Sequence, residues 1–271
     1  MNLEALAINA AIEAGQLLAG MQDSINPREK APKDLVTEAD VASQKKILGS
    51  IAEGRPNDYF LGEEDLTDES DLPGLDRTVG SSTDLSDLEY CWVIDPLDGT
   101  ANYVHKLQTY SVSIALLSYG KPIVAAVYDP VMDDCYSASL GEGARVNGKP
   151  LKNSGVDELA RSLIAASFSA GVERGSAEVD RWVEMLYECQ ALRRLGSAAL
   201  NLCYVAQGGL DGYWATSVKI WDIAAGVLIV REAGGTITSM DGQPLKIQEA
   251  KFIAAATEKL HKQMFDVLNR P

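Results

Sequence analysis

The sequence predicts a mixed α/β protein in two halves. Three observations carry that reading: an apolar, helix-periodic opening segment, a strand-rich middle joined by tight turns, and strand–helix alternation beyond residue 161. The chain has 271 residues. At roughly 100–200 residues per domain, that is room for one large domain or two closely packed halves. The division falls at 1–155 and 156–271, within one compact unit.

The elements follow in order. Leu3, Leu6, Ala7, Ala10, Ala14, Leu17, Leu18 and Met21 recur at helical spacing. Asn26-Pro27 and Ala31-Pro32 then break the chain. A second helix over 37–52 opens on Thr37-Glu38-Ala39-Asp40, a capping-box pattern. Tyr59-Phe60-Leu61 is a short strand running into Gly62-Glu63-Glu64-Asp65. Residues 66–89 are rich in Asp, Gly, Ser and Thr, with Arg77 their only basic residue. They read as an acidic, mobile surface loop. Tyr90 to Ile94 is an apolar run suited to a buried strand. Residues 111–117, 123–128, 135–139 and 144–146 are β-like, the last closed by an Asn147-Gly148 hairpin turn. They form an antiparallel sheet on the two N-terminal helices. Strands at 163–168, 192–195 and 211–215 then alternate with helices at 177–189 and 197–207, the second closed by Gly208-Gly209. Asp222 caps a helix running to Ala233, and a final helix covers 257–268.

Composition narrows the function. Apolar residues make up 46% and charged residues 23%, which excludes a disordered or fibrous chain. The net charge is -15, from 39 acidic and 24 basic residues. That field repels nucleic-acid polymers and anionic lipid. It leaves small phosphorylated ligands open, because a bound metal can reverse the sign locally. No apolar run approaches the ~20 residues of a membrane span. The first twenty residues carry Glu4 and Glu13 and no cation, so no export signal is expected and the protein is placed in the cytoplasm. Cys91, Cys135, Cys189 and Cys203 show no CxxC spacing and read as buried thiols in a reducing compartment. His105 and His261 are the only histidines. Any metal site must therefore use hard oxygen ligands.

The most informative stretch is Trp92 to Asn102, where an apolar strand ends in Asp95-Pro96-Leu97-Asp98-Gly99-Thr100. Residues three apart in a turn lie about 5–6 Å from each other, so both carboxylates can face one point. Two carboxylates about 4 Å apart repel by roughly 4 kcal/mol at an effective dielectric near 20. A divalent cation such as magnesium turns that repulsion into attraction. Pro96 pre-sets the turn, and Gly99 lets backbone approach a ligand. The N–H groups of Gly99, Thr100 and Ala101 can receive a phosphate. A plain Asp-capped turn, with Asp98 bonding its own backbone, explains the same residues equally well. Taken singly, Gly62 to Asp65 reads as a solvated acidic turn, Asp40 as capping-box support and Asp222 as an N-cap.

Together, these blocks resemble the inositol monophosphatase family, within the magnesium-dependent, lithium-sensitive phosphatase superfamily that includes fructose-1,6-bisphosphatase. Four blocks match in the family's order: Asp34 to Asp40, Gly62 to Asp65, Trp92 to His105 and Trp221 to Gly235. Gly196 to Leu202 and Gly208 to Asp211 agree as well. The resemblance spans nearly the whole chain. It implies a layered α-β-α-β-α sandwich, a larger antiparallel sheet in the first half, a smaller mixed sheet in the second, and a homodimer.

The resemblance also implies roles. Glu63, Asp95, the Leu97 carbonyl, Asp98 and Asp222 become ligands for two or three Mg2+ ions. Asp40 and Thr100 become the pair that orients and deprotonates the attacking water, with Glu63 beside them as a catalytic residue. Gly99, Thr100, Ala101, Gly196, Ser197 and Ala215 become the substrate-binding set. The implied reaction is hydrolysis of a phosphate monoester, inositol monophosphate or a related sugar or polyol phosphate, with no covalent phosphoenzyme. Alternatives are fructose-1,6-bisphosphatase, histidinol-phosphatase or 3'-phosphoadenosine 5'-phosphate phosphatase activity, and a catalytically silent acidic metal-binding protein.

The chain departs from the family at three points. Ala215 stands where inositol phosphatases carry a glutamate that accepts from substrate hydroxyls. Lys106 replaces a glycine, and the 66–89 loop is long. His105, Trp214 and Trp221 read as structural. Lys30 and Lys33 lie near a position where the family has a basic residue.

Overall fold

The computed structural model describes residues 2–31, 34–66, 72–169 and 171–270. Helices α1 (Leu3–Met21) and α2 (Glu38–Gly54) flank a two-stranded ladder, β1 (Arg28–Ala31) with β2 (Asp34–Val36). The Pro-rich break anticipated there thus contains a small hairpin; its short, polar strands lack the alternation that marks a strand. Lys33 and the side chain of Lys30 lie outside the described residues.

The larger sheet has seven strands in the order β3 (Tyr59–Gly62), β4 (Cys91–Asp98), β5 (Ser111–Ser118), β6 (Lys121–Asp129), β7 (Asp134–Ser139), β8 (Ala144–Val146) and β9 (Lys149–Pro150). Only the β3–β4 pair is parallel. A short helix, α3 (Thr100–Val104), leaves the end of β4. The second half holds β10 (Leu163–Ser167), α4 (Ala177–Glu188), β11 (Ala191–Arg193), α5 (Ala198–Gln207), β12 (Gly212–Ala215), α6 (Ile220–Glu232), β13 (Thr236–Ser239), β14 (Phe252–Ala255) and α7 (Glu258–Leu268). Its five strands run β11-β10-β12-β14-β13 and mix parallel with antiparallel pairs.

The cores fix the layers. Strand alternation sends Trp92 and Ile94 of β4 into the cluster formed with α1 and α2, while Cys91 and Val93 face α5 and α6. On the far side of those two helices lie Tyr213, Ala215 and Phe252 of the smaller sheet. That sheet's other face packs Trp214 and Ile253 against Met185 of α4 and Leu260 and Met264 of α7. The result is the expected α-β-α-β-α sandwich.

Two local expectations need correction. The 66–89 segment is not a free loop over its described part, Leu66 and 72–89; residues 67–71 lie outside the described residues. It forms 3-10 turns at Leu75–Arg77 and Leu85–Asp87, and Leu85 is fully buried. The Val79 N–H donates to the Phe60 carbonyl at 2.8 Å. Composition concealed this because one buried leucine and a few backbone bonds can anchor a segment that is otherwise polar. The second correction concerns Asp222. It occupies the third position of α6, not the cap; the cap residue is Lys219.

Candidate active site

The site is built where three strand ends and three helix starts meet. Asp95 and Asp98 sit on β4 at a break in its register with β5, where Asp95 faces Ser113 and Asp98 faces Ser111. Pro96, which has no N–H, lies within that irregularity. Both carboxylates are buried. Asp95 accepts from the Leu97 N–H at 3.1 Å.

Asp98 does not bond its own turn. It accepts from the Ala198 and Ala199 N–H groups, each at 2.9 Å, from the Ser111 hydroxyl at 3.2 Å and from the Ser197 hydroxyl in a short contact. It therefore binds the start of α5, a hundred residues away in sequence. Ser197 caps α5 while making that contact. Gly196, at φ +89°, lies against Asn102, whose amide donates to the Leu195 carbonyl at 2.8 Å.

Asp40 serves two functions at once. One oxygen completes the capping box of α2, accepting from the Thr37 N–H at 2.8 Å and the Thr37 hydroxyl at 2.7 Å. The other accepts from the Thr100 hydroxyl at 3.1 Å. The Thr100 oxygen is also 3.0 Å from the Leu97 carbonyl. A hydroxyl has one proton, so it serves one of these acceptors at a time. Gly99 precedes Thr100 at φ +91°, and a Cβ there would come within 3.0 Å of the Thr109 carbonyl.

Residues not anticipated from the sequence hold the strand ends in place. Ser43 and Gln44 lie three and four positions after Asp40, on the same side of α2. The Ser43 hydroxyl donates to the Pro96 carbonyl at 2.7 Å. The Gln44 amide donates to the Glu64 carbonyl at 2.6 Å and accepts from the Glu64 N–H at 2.9 Å, fixing the backbone beside Glu63. On β5, Ser113 donates to the Trp221 carbonyl at 3.4 Å and so links the start of α6 to β5 at the position paired with Asp95. Buried Ser and Gln on otherwise apolar faces were the available signal, since buried polar side chains need partners.

Asp222 lies beside Asp95. It accepts from the Lys219 N–H at 2.7 Å and shares a hydrogen bond with Asp95. Burial, then the charges of Glu63, Asp98 and Asp222, hold Asp95 well above the usual carboxylate range. Burial first, then Asp98, pushes Asp222 up to about 7. Asp98 is raised by burial, with its four hydrogen bonds pulling the other way. Among the described residues, no Lys or Arg forms an ion pair with Asp95, Asp98 or Asp222.

This donor set fits a hard divalent cation: clustered carboxylate oxygens that repel one another and, among the described residues, form no ion pair with Lys or Arg. No three acidic, His or Cys side chains among the described residues already close around one point. Ala215 is fully buried in β12, so the strand's first accessible polar side chain is Thr216, which bonds Glu178 of α4 in a short contact. His105 is exposed and Trp214 is core, but Trp221 is only partly buried and lines open space beside Asp222.

Fold and site together define a phosphatase of the layered α-β-α-β-α kind. A sequence profile of the inositol monophosphatase family matches residues 2–270, and the chain belongs to that family of phosphoric monoester hydrolases. The Nus factor SuhB of Pasteurella multocida is 38% identical over 255 residues, covering 93% of this chain and 90% of that protein. The solved inositol monophosphatase from Anabaena sp. PCC 7120 is 35% identical with a TM-score of 0.82, covering 98% of this chain and 94% of that one. An IMPase/NADP phosphatase solved in complex with Mg2+ and phosphate is 26% identical with a TM-score of 0.80, covering 96% of this chain and 92% of that one.

Proposed function

We propose that the chain hydrolyses a small phosphorylated sugar or polyol, inositol monophosphate or a relative of it, with magnesium as cofactor. The observation that carries this is the Thr100–Asp40 hydrogen bond at 3.1 Å, set beside the buried carboxylates of Asp95 and Asp98 and the neighbouring Asp222. Glu63, Asp95, the Leu97 carbonyl, Asp98 and Asp222 would hold two or three Mg2+ ions. When bound, the metal supplies Lewis acidity for the phosphoryl oxygens and the attacking water.

The remaining work falls to the chain's own groups. The Thr100 hydroxyl donates to Asp40 Oδ1 and turns its lone pairs towards the attacking water. Proton abstraction then runs from water to Thr100 and from Thr100 to Asp40, whose other oxygen stays fixed by Thr37. The amides of Gly99, Thr100 and Ala101 bind phosphate oxygens. The Ser197 hydroxyl keeps Asp98 in place, and Gly196 and Ser197 would border the substrate. The protein acts as a homodimer in the cytoplasm; a monomeric mass at micromolar concentration would count against the dimer.

Phosphate release from a panel of monoesters, with and without magnesium, tests the reading. Inositol 1-phosphate, fructose 1,6-bisphosphate, histidinol phosphate and 3'-phosphoadenosine 5'-phosphate separate the alternatives. Release that requires magnesium is expected. With Ala215 in place of a hydroxyl acceptor worth about 1–3 kcal/mol, inositol 1-phosphate should not exceed every other monoester by about a thousandfold. No release from any compound would favour a silent metal-binding protein.

A further inference from the structure

A cleft of about 540 Å3 borders the C-terminal turns of α6. That is within the ~300–1,000 Å3 of small-molecule sites. Val227 and Leu228 of α6, Leu245 and Ile247 give it an apolar lining. Tyr119 and Leu140, 57% and 61% exposed, also border it, so apolar surface continues outwards from the cleft. Arg231, the cleft's guanidinium, lies nine residues after Asp222 on α6, about 13 Å along the helix axis. The cleft is therefore separate from the carboxylate cluster.

Its charged groups are unbalanced. Arg231 and Lys121 both line it and both are exposed. Among the described residues no carboxylate forms an ion pair with either. Two acidic residues of the same segments are engaged elsewhere. Glu249 is held by Lys246 at 3.1 Å. Glu232 accepts from the Gly141 and Gly143 N–H groups at 2.9 and 2.8 Å. Arg231 stands in the last turn of α6, where the helix dipole favours a cation. Its guanidinium is not needed as a cap, however. The Ile229, Val230 and Arg231 carbonyls already accept from the N–H groups of Ala233, Gly235 and Gly234 at 3.0, 2.9 and 3.0 Å. Although the residue is exposed, desolvation holds its pKa below the ordinary arginine value, and an anionic partner would offset that cost. A guanidinium fork among apolar side chains matches the two oxygens of a carboxylate on a hydrocarbon body.

We propose that this cleft is a second binding site, for a small amphipathic monocarboxylate. Arg231 takes the carboxylate, Lys121 adds positive charge to the same cleft, and Val227, Leu228, Leu245 and Ile247 take the hydrocarbon. The chain's net charge of -15 opposes approach to an anionic membrane, so the ligand is a free molecule. The inference does not depend on the phosphatase reading.

Calorimetric titration of the full chain tests it, with octanoate, octan-1-ol and octylammonium as probes. Magnesium and inorganic phosphate are held at saturation to fill the catalytic centre. Octanoate should bind one to one, at least about tenfold tighter than the other two, because only it offers a carboxylate to the guanidinium. Arg231→Gln should weaken octanoate at least about tenfold and leave octan-1-ol within about twofold. Lys121→Gln, on the separate turn before β6, should act in the same direction and carries the test if Arg231→Gln lowers the melting temperature. Omitting magnesium and phosphate should leave octanoate affinity unchanged. The inference is overturned if octanoate does not bind, if octan-1-ol binds as tightly, or if neither substitution weakens octanoate. It is also overturned if magnesium and phosphate displace octanoate, which would place the probe in the catalytic centre.

Discussion

Replacing Asp222 by Asn should change how the metal-free protein responds to pH. Asp222 is half-buried beside Asp95, and desolvation and the Asp98 charge raise its pKa from an ordinary aspartate's 3.8 to about 7. Below 3.8 both folded and unfolded chains hold the proton, and the residue costs nothing. Between 3.8 and 7 the unfolded chain ionises first, so stability falls as pH rises. Above 7 the loss is complete. Each tenfold in proton affinity is worth about 1.4 kcal/mol. Wild type should therefore lose about 3 kcal/mol from this residue between pH 5 and pH 8. For a chain of this size that is roughly 5–10 °C in melting temperature. Asn has no charge to bury and its side-chain oxygen can still accept from the Lys219 N–H. Asp222→Asn should thus gain on wild type as pH rises, as measured by thermal melts in chelator from pH 5 to 8. Asp95 and Asp98 shift in the same direction and steepen both curves, so the informative quantity is the separation between them. Magnesium should raise the wild-type melting temperature at pH 8 and affect the variant much less. A separation that stays constant from pH 5 to 8, or a variant less stable than wild type at pH 8, would refute the reasoning.

Three further outcomes are expected. Asp95→Asn should fold and lose magnesium-dependent turnover; activity within about tenfold of wild type would remove Asp95 from the metal set. Thr100→Ala should lower kcat by at least about a hundredfold, with Thr100→Ser recovering most of it, because the reading needs only a hydroxyl between water and Asp40; equal loss in both variants would point to packing. Leu85→Ala should cost about 2–4 kcal/mol in urea denaturation, since Leu85 is fully buried; a change below about 0.5 kcal/mol would return the 72–89 segment to a mobile surface loop.

Much of the fold was legible because its elements are strongly periodic. The eight residues of β4 are all buried, and they read as an unbroken apolar run ending in aspartates. The hairpin at Asn147-Gly148 and the helix stop at Gly208 likewise follow from local chemistry. What stayed hidden depends on distance along the chain. Nothing near Asp98 announces that its partners are Ser197, Ala198 and Ala199. Asp222 reads as a cap because Asp is a good cap, yet the residue three before it, Lys219, takes that position. The Ser113–Trp221 bond joins residues 108 apart in sequence. Family resemblance supplied the joint placement of these residues, which local spacing does not encode.

The choice between cap and functional carboxylate, open when each aspartate is read singly, dissolves in the structure. Asp40 and Asp222 are third residues of α2 and α6, and each accepts from the N–H of its own cap residue. Asp98 accepts from the first N–H groups of α5. Three helix starts, one early in the chain and two late, therefore end on three aspartates of one site. The partial positive charge of a helix N-terminus stabilises a nearby carboxylate by about 0.3–1 kcal/mol, and more when partly buried. This offsets part of the cost of burying the cluster, and the raised pKa values of Asp95 and Asp222 show that the offset is incomplete. The capping bonds also fix one oxygen of Asp40 and one of Asp222. The other oxygen of Asp40 is then the one that meets Thr100, and the side chain cannot rotate away without breaking the capping box. In a chain of net charge -15, the same helix starts direct positive ends at the place where an anionic substrate must arrive. Capping, orientation and attraction of substrate thus come from one set of backbone N–H groups, which is why loss of a cap here should register first in turnover and only second in stability.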